Sequence, residues 1–214
     1  MFLNHDPLKL CLITHPDSKL FEDYEKFILS AIKGGVTSVQ LRNKTVPTAT
    51  LKTMAQQLLT LLRPLNIPLL INDHVELAQA IDADGVHLGQ SDMHPLEARR
   101  CLGADKLIGW SIETWAQLEQ ANALSCINYV AASAIFPSKN KQNCKTIWGL
   151  DGLKKITSHS HHPVLAIGGI DKTRLAEVMQ AGARGVVVIG AIHDADHPER
   201  AAHELIEILN RERP

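Results

Sequence analysis

The chain has 214 residues, 45% of them hydrophobic, and a net charge of −1 at pH 7. That is enough apolar material for a sizeable core, and the near-neutral balance excludes a global basic field for nucleic acid, so any phosphate site must be local. Cys11, Cys101, Cys126 and Cys144 show no CxxC spacing, which argues against a zinc site or disulfide framework and for reduced, mostly buried thiols.

The segment 1–7 has neither a positive leader nor a long apolar core, so no signal peptide is expected. No apolar run approaches membrane-spanning length. A soluble cytoplasmic protein with no membrane or nucleic-acid partner is the expectation.

Short β-rich runs alternate with amphipathic stretches from end to end. Strands are predicted at 10–14, 38–42, 69–72, 85–88, 107–111, 129–132, 164–168 and 186–190. Helical periodicity covers 21–33, 49–62, 75–81, 96–101, 114–124, 150–157, 174–181 and 198–211. The strands read as nearly continuous apolar runs, as in Val186-Val187-Val188-Ile189, which suits parallel strands buried on both faces. Gly34-Gly35, Gly85 and Gly182-Gly185 recur where a helix hands over to a strand, and glycine there permits the left-handed residue that ends a helix. About eight βα units without a Pro/Ser-rich linker favour an α/β chain forming a single (β/α)8 TIM barrel over residues 1–214. A doubly wound open sheet is the runner-up. Neither GxGxxG nor GxxxxGK[ST] occurs, so the usual dinucleotide and nucleoside-triphosphate signals are missing.

Gln40-Leu41-Arg42-Asn43-Lys44 ends the second run. Period-two alternation places Gln40, Arg42 and Lys44 on one inward, rimward side, where an Arg fork and a Lys charge would form a pyrophosphate clamp. A solvated strand end is the alternative. Asn72-Asp73 closes the third run, and Gly85–Leu88 leads into Gly89-Gln90-Ser91-Asp92. In a parallel barrel, Asp73 and Asp92 then lie at or just beyond neighbouring carboxyl-terminal strand ends, the rim that builds active sites. Two carboxylates there repel unless a cation separates them, and Mg²⁺ fits, completing its shell with water and substrate phosphates. Taken singly, Asp73 reads as a helix cap and Asp92 as a turn residue.

Further along, Trp110 should pack while Ser111 reaches the rim, with a buried structural serine as the alternative. His87, inside an apolar strand, reads as a satisfied core histidine or one behind the site. The segment 137–145, carrying Lys139, Lys141 and Lys145, lacks apolar periodicity and reads as a loop that could fold over an anionic substrate and exclude water. Gly168-Gly169 and Gly190 end the last two predicted strands, the positions from which barrels commonly bind phosphate through exposed amides. Tight packing is the competing reading of Gly-Gly. Two anion sites on one rim imply two phosphorylated ligands, or one elongated ligand.

At these residues the chain closely resembles the thiamine phosphate synthase family. The likeness runs through 40–44, Asn72-Asp73, 83–92, Gly109-Trp110-Ser111, 135–141, 166–170 and the last glycine-bearing strand. It implies a (β/α)8 transferase joining hydroxymethylpyrimidine diphosphate to a thiazole phosphate, the carboxylated thiazole included, with release of pyrophosphate. By resemblance, Asp73 and Asp92 hold Mg²⁺. Gln40, Arg42, Lys44, Asn72, Ser111 and Lys141 contact the pyrimidine diphosphate, and Arg42, Lys44, Ser111 and Lys141 carry the catalysis. Ser138, Asn140, Gly168, Gly169 and Gly190 face the thiazole phosphate and the loop that closes over it. The chain departs from the family at Asn43, where Glu is usual, and at Ser138 and Asn140, where threonines are common. Gly190 stands at a frequent serine, and Ser133-Ala134 at a common Gly-Pro. A related thiazole tautomerase needs a His at the position of Ala134, and alanine cannot transfer protons. A non-catalytic barrel that senses phosphorylated precursors is a third reading, since one fold hosts many functions. A homodimer is left open by the sequence.

Overall fold

The computed structural model describes residues 6–14, 21–139 and 144–212. Eight parallel strands close in sequence order into a barrel, β1 bonding both β2 and β8. They are β1 (Leu10–Ile13), β2 (Ser38–Leu41), β3 (Leu69–Asn72), β4 (Gly85–Leu88), β5 (Leu107–Ile112), β6 (Tyr129–Ser133), β7 (Val164–Ile167) and β8 (Gly185–Val188). The helices are α1 (Phe21–Lys33), α2 (Thr48–Leu62), α3 (Val75–Ala80), α4 (Pro95–Leu102), α5 (Trp115–Asn122), α6 (Gly149–His159), α7 (Leu175–Gln180), α8 (Gly190–His193) and α9 (Pro198–Arg211). The closed sheet rules out the open doubly wound alternative. No helix among the described residues is long and apolar enough to cross a membrane.

Two apolar regions follow from the period of the strands. Outward residues such as Leu10, Leu12, Val39, Leu41, Leu69, Ile71, Val86 and Leu88 pack with the helices into one core. Inward residues Cys11, Ile13, Leu70, Tyr129, Ala131, Leu165 and Val187 fill the barrel itself. Because both faces are covered, the strands carry apolar residues at nearly every position. The same parity directs the last inward side chain of each strand toward one rim.

Several expectations are corrected. Gly168 lies beyond β7 with φ of 106°, and Gly190 opens α8 instead of ending β8. Ile189, at φ −123° and ψ −83°, turns the chain out of the strand there. The handover after α3 takes its left-handed residue from Asp82, φ 55°, and not from a glycine. Gly85 serves close approach: a Cβ there would sit 2.2 Å from the Leu107 carbonyl oxygen. None of the four cysteines is in a disulfide, but only Cys11 is buried, Cys101 being exposed and Cys126 and Cys144 partly so.

Gly109 has a similar packing role inside the barrel. A Cβ on it would lie 2.1 Å from Tyr129 Cζ, and Tyr129 is buried. Gly109→Ala should therefore destabilise the fold by about 1–3 kcal/mol through overpacking. A urea unfolding midpoint equal to that of the parent chain would show that the tyrosine ring moves freely.

Candidate active site

The carboxyl-terminal rim carries two cavities that share a wall. One, of about 480 Å³, is floored by the last inward residues of seven strands, Ile13, Gln40, Asn72, His87, Ser111, Ser133 and Ile167, and by Ile189 just beyond β8. Its sides are Arg42, Lys44, Asp73, Asp92, Gln90, Glu113 and Lys145. The other, of about 390 Å³, is lined by Ser138, Lys139, Gly168, Gly169, Asp171, Arg174, Gly190 and neighbouring residues. Ser133, Ile167 and Ile189 border both. A ligand in each would therefore meet its neighbour across these three residues.

The floor of the larger cavity is polar and pre-bonded. Gln40 Nε2 donates to Asn72 Oδ1 at 3.0 Å. His87 pairs through Nε2 with Ser111 Oγ at 2.8 Å and through Nδ1 with the Tyr129 hydroxyl at 3.0 Å. Gln90 Nε2 donates to the Ser111 carbonyl at 2.7 Å, tying the loop after β4 to β5. Trp110 points away and packs, its Nε1 reaching the Gly89 carbonyl at 3.3 Å. Buried polar groups that are held like this keep one orientation.

On the sides, opposite charges alternate. Lys44 Nζ lies 2.9 Å from Asp73 Oδ2. Asp73 has a left-handed backbone, φ 67°, and its amide donates to the His87 carbonyl at 2.9 Å. Asp tolerates that conformation better than most residues. Residue 74, not Asp73, occupies the cap position of α3, and it makes no side-chain cap bond. Asp92 Oδ2 accepts from the Gly89 amide at 2.6 Å, so the turn reading and a rim position hold together. Burial pushes the Asp92 carboxyl above its ordinary range, and the neighbouring Asp73 pushes it the same way, against the Gly89 amide and Lys44. The two acids face each other closely enough to resist double ionisation, which is the environment a divalent cation relieves.

The smaller cavity is built from backbone. Gly168 and Gly169 have φ of 106° and 62°. Side chains there would collide with Ala134 Cβ at 2.5 Å and the Pro137 carbonyl at 2.5 Å. Glycine is thus required both for the turn and for the packing of β6's exit loop against it. Arg174 braces the turn, donating to the Gly169 carbonyl at 2.7 Å with its guanidinium 4.7 Å from the Phe136 ring centroid.

Of the residues singled out from sequence, Gln40, Arg42, Lys44, Asn72, Asp73, Asp92 and Ser111 converge on the larger cavity. Ser138, Gly168, Gly169 and Gly190 line the smaller one. Asn140 and Lys141 lie outside the described residues. Gln90, Glu113, Ser133, Lys145 and Arg174 were not singled out. Strand parity applied to β6 would have found Ser133. Lys145, whose amide donates to Glu113 Oε2 at 3.4 Å, belongs to the loop read as folding over an anionic substrate, without being picked out within it.

A family model described as thiamine monophosphate synthase matches residues 10–192. A thiamine-phosphate synthase of Chlamydia abortus is 42% identical over 203 residues, covering 95% of each chain. One of Vibrio parahaemolyticus is 40% identical over 94% of this chain and 98% of its own. Among solved structures, thiamine phosphate pyrophosphorylase of Pyrococcus furiosus superposes with a TM-score of 0.87 at 31% identity, covering 98% of this chain and 99% of that one.

Proposed function

The chain belongs to the thiamine monophosphate synthase family, and we propose that it works in the cytoplasm as one domain, condensing hydroxymethylpyrimidine diphosphate with a thiazole phosphate to give thiamine phosphate and pyrophosphate. The observation that carries this reading is the pair of cavities meeting at Ser133, Ile167 and Ile189. One is bordered by acids and cations suited to a diphosphate, the other by glycine turns suited to a monophosphate. The contact between them is where a bond joining two such ligands would form.

Asp73 and Asp92 fit a divalent ion: each offers hard oxygen donors, and each raises the electrostatic cost of the other. Among the described residues no three His, Cys, Asp or Glu side chains gather as a metal cage. A two-carboxylate site favours Mg²⁺, which leaves coordination places to substrate oxygens and water. When bound, the ion would supply positive charge to the departing oxygens.

Arg42 and Lys44 border the same cavity, so both stabilise charge that grows as the pyrimidine C–O bond lengthens and its electron pair leaves with diphosphate. The exocyclic methylene carbon that bore the diphosphate becomes electron-poor, with the pyrimidine ring sharing its charge, and the thiazole nitrogen attacks that carbon to form the new C–N bond. No protein nucleophile is needed. Gln40, Asn72 and Ser111 orient the pyrimidine on the polar floor, and the loop after β6 excludes water that would capture the carbocation as the alcohol. Ala134 is buried against Gly168 and has no transferable proton, which disfavours the tautomerase reading.

Incubating purified protein with both precursors and Mg²⁺ should give thiamine phosphate and pyrophosphate in equal amounts, with the signal lost in chelator. Isomerisation of the thiazole phosphate alone would mark a tautomerase. Binding of either precursor without product would mark a sensor.

A further inference from the structure

From the floor of the larger cavity a short chain of polar groups runs down into the barrel: Ser111 hydroxyl, His87 ring and the buried Tyr129 hydroxyl. We propose that Tyr129, acting through His87, fixes Ser111 as a hydrogen-bond donor, so that the site selects an acceptor atom on the pyrimidine substrate. Tyr129 is thus a positioning residue for the condensation. This rests on the functional reading above only for the identity of the ligand.

The direction of the chain follows from its closed end. Tyr129 is 1% exposed, and among the described residues His87 Nδ1 is the hydrogen-bond partner of its hydroxyl. The phenol stays protonated, because burial first, and then the nearby Cys11, pushes its ionisation well above the ordinary range. A buried O–H must donate, since an unsatisfied one costs about 1–3 kcal/mol. Nδ1 therefore accepts, which puts the ring proton of neutral His87 on Nε2. Nε2–H then donates to Ser111 Oγ at 2.8 Å. With that acceptor position filled from below, the Ser111 proton points into the cavity. The reverse arrangement, Ser111 donating to Nε2 and Nδ1–H to Tyr129, leaves the phenolic proton stranded in the barrel interior.

The sequence provides space for this chain. Gly109 leaves room for the Tyr129 ring, a Cβ there lying 2.3 Å from its hydroxyl oxygen. His87 and Tyr129 stack with centroids 5.7 Å apart, which fixes the ring plane. Ser111 borders the larger cavity only, whereas Ser133, Ile167 and Ile189 border both. A fault in the chain should therefore be felt by one substrate.

Two measurements test this. In protein labelled with 15N-histidine, the His87 ring should show protonated Nε2 and bare Nδ1 without any ligand present. This readout is independent of catalysis, so it stands or falls separately from the proposed activity. In Tyr129→Phe, which keeps the ring and its packing, the His87 tautomers should mix. kcat/KM for the pyrimidine diphosphate should fall roughly tenfold, with KM for the thiazole phosphate unchanged. A protonated Nδ1 in the parent protein overturns the proposal. So does a Tyr129→Phe variant that affects both substrates alike, or neither, since either result marks Tyr129 as packing only.

Discussion

Asp92→Ala should lower kcat/KM by roughly 30- to 1,000-fold, the loss of about 2–4 kcal/mol of transition-state stabilisation that follows removal of one preorganised charge contact. The fold should survive, and without divalent ions it should be no less stable at pH values where Asp92 is ionised. In the parent chain burial and Asp73 raise the Asp92 carboxyl above its unfolded value. A raised carboxyl contributes stability that is fully present below the unfolded value and is lost as pH climbs through the folded one. Once Asp92 is ionised that contribution is gone and its charge is disfavoured by burial and by Asp73, so deleting the side chain removes that cost. The lost bond from the Gly89 amide at 2.6 Å opposes this gain. Asp92→Asn retains an acceptor for that amide and separates the two effects. Mg²⁺ should raise the melting temperature of the parent, and both variants should lose that rise. Near-parental turnover in a folded Asp92→Ala protein would remove Asp92 from the mechanism.

The difference between Asp73 and Tyr129 shows what a linear sequence does and does not reveal. Asp73 was legible because it follows an apolar run directly, and the barrel puts every such position on one rim. All eight strands could be read in the same way, and the helices Phe21–Lys33 and Pro198–Arg211 ran as their periodicity predicted. The four-residue α8 and the 3-10 turn Arg63–Leu65 are too short to show a period. Tyr129 and Gly109 were invisible as partners because their relation depends on register: Gly109 lies opposite Tyr129 across β5 and β6. Arg174 reaches the rim from the start of α7, and a guanidinium at a helix entry looks like any solvated charge. Local pattern sets the elements, then, while the inner layers of the site come from cross-strand neighbours that no single segment announces.

Arg42→Ala should be as damaging as the loss of Asp92, for a different reason, and the backbone explains why the comparison is clean. Thr14 Oγ1 accepts from the Arg42 amide at 2.9 Å and donates to the Arg42 carbonyl at 3.3 Å, and Thr14 is buried. That reciprocal pair holds the main chain whatever side chain stands at 42. The variant therefore subtracts a guanidinium from the cavity and little else. Arg42 is assigned to charge that develops on diphosphate, so kcat should fall together with kcat/KM, again by roughly 30- to 1,000-fold. Arg42→Lys should recover only part of this, since an ammonium keeps the charge but cannot span two phosphate oxygens with a planar fork. A raised KM with unchanged kcat would mean that Arg42 grips ground state and transition state equally. In that case the work of expelling diphosphate would fall to Lys44 and to the ion proposed between the acids.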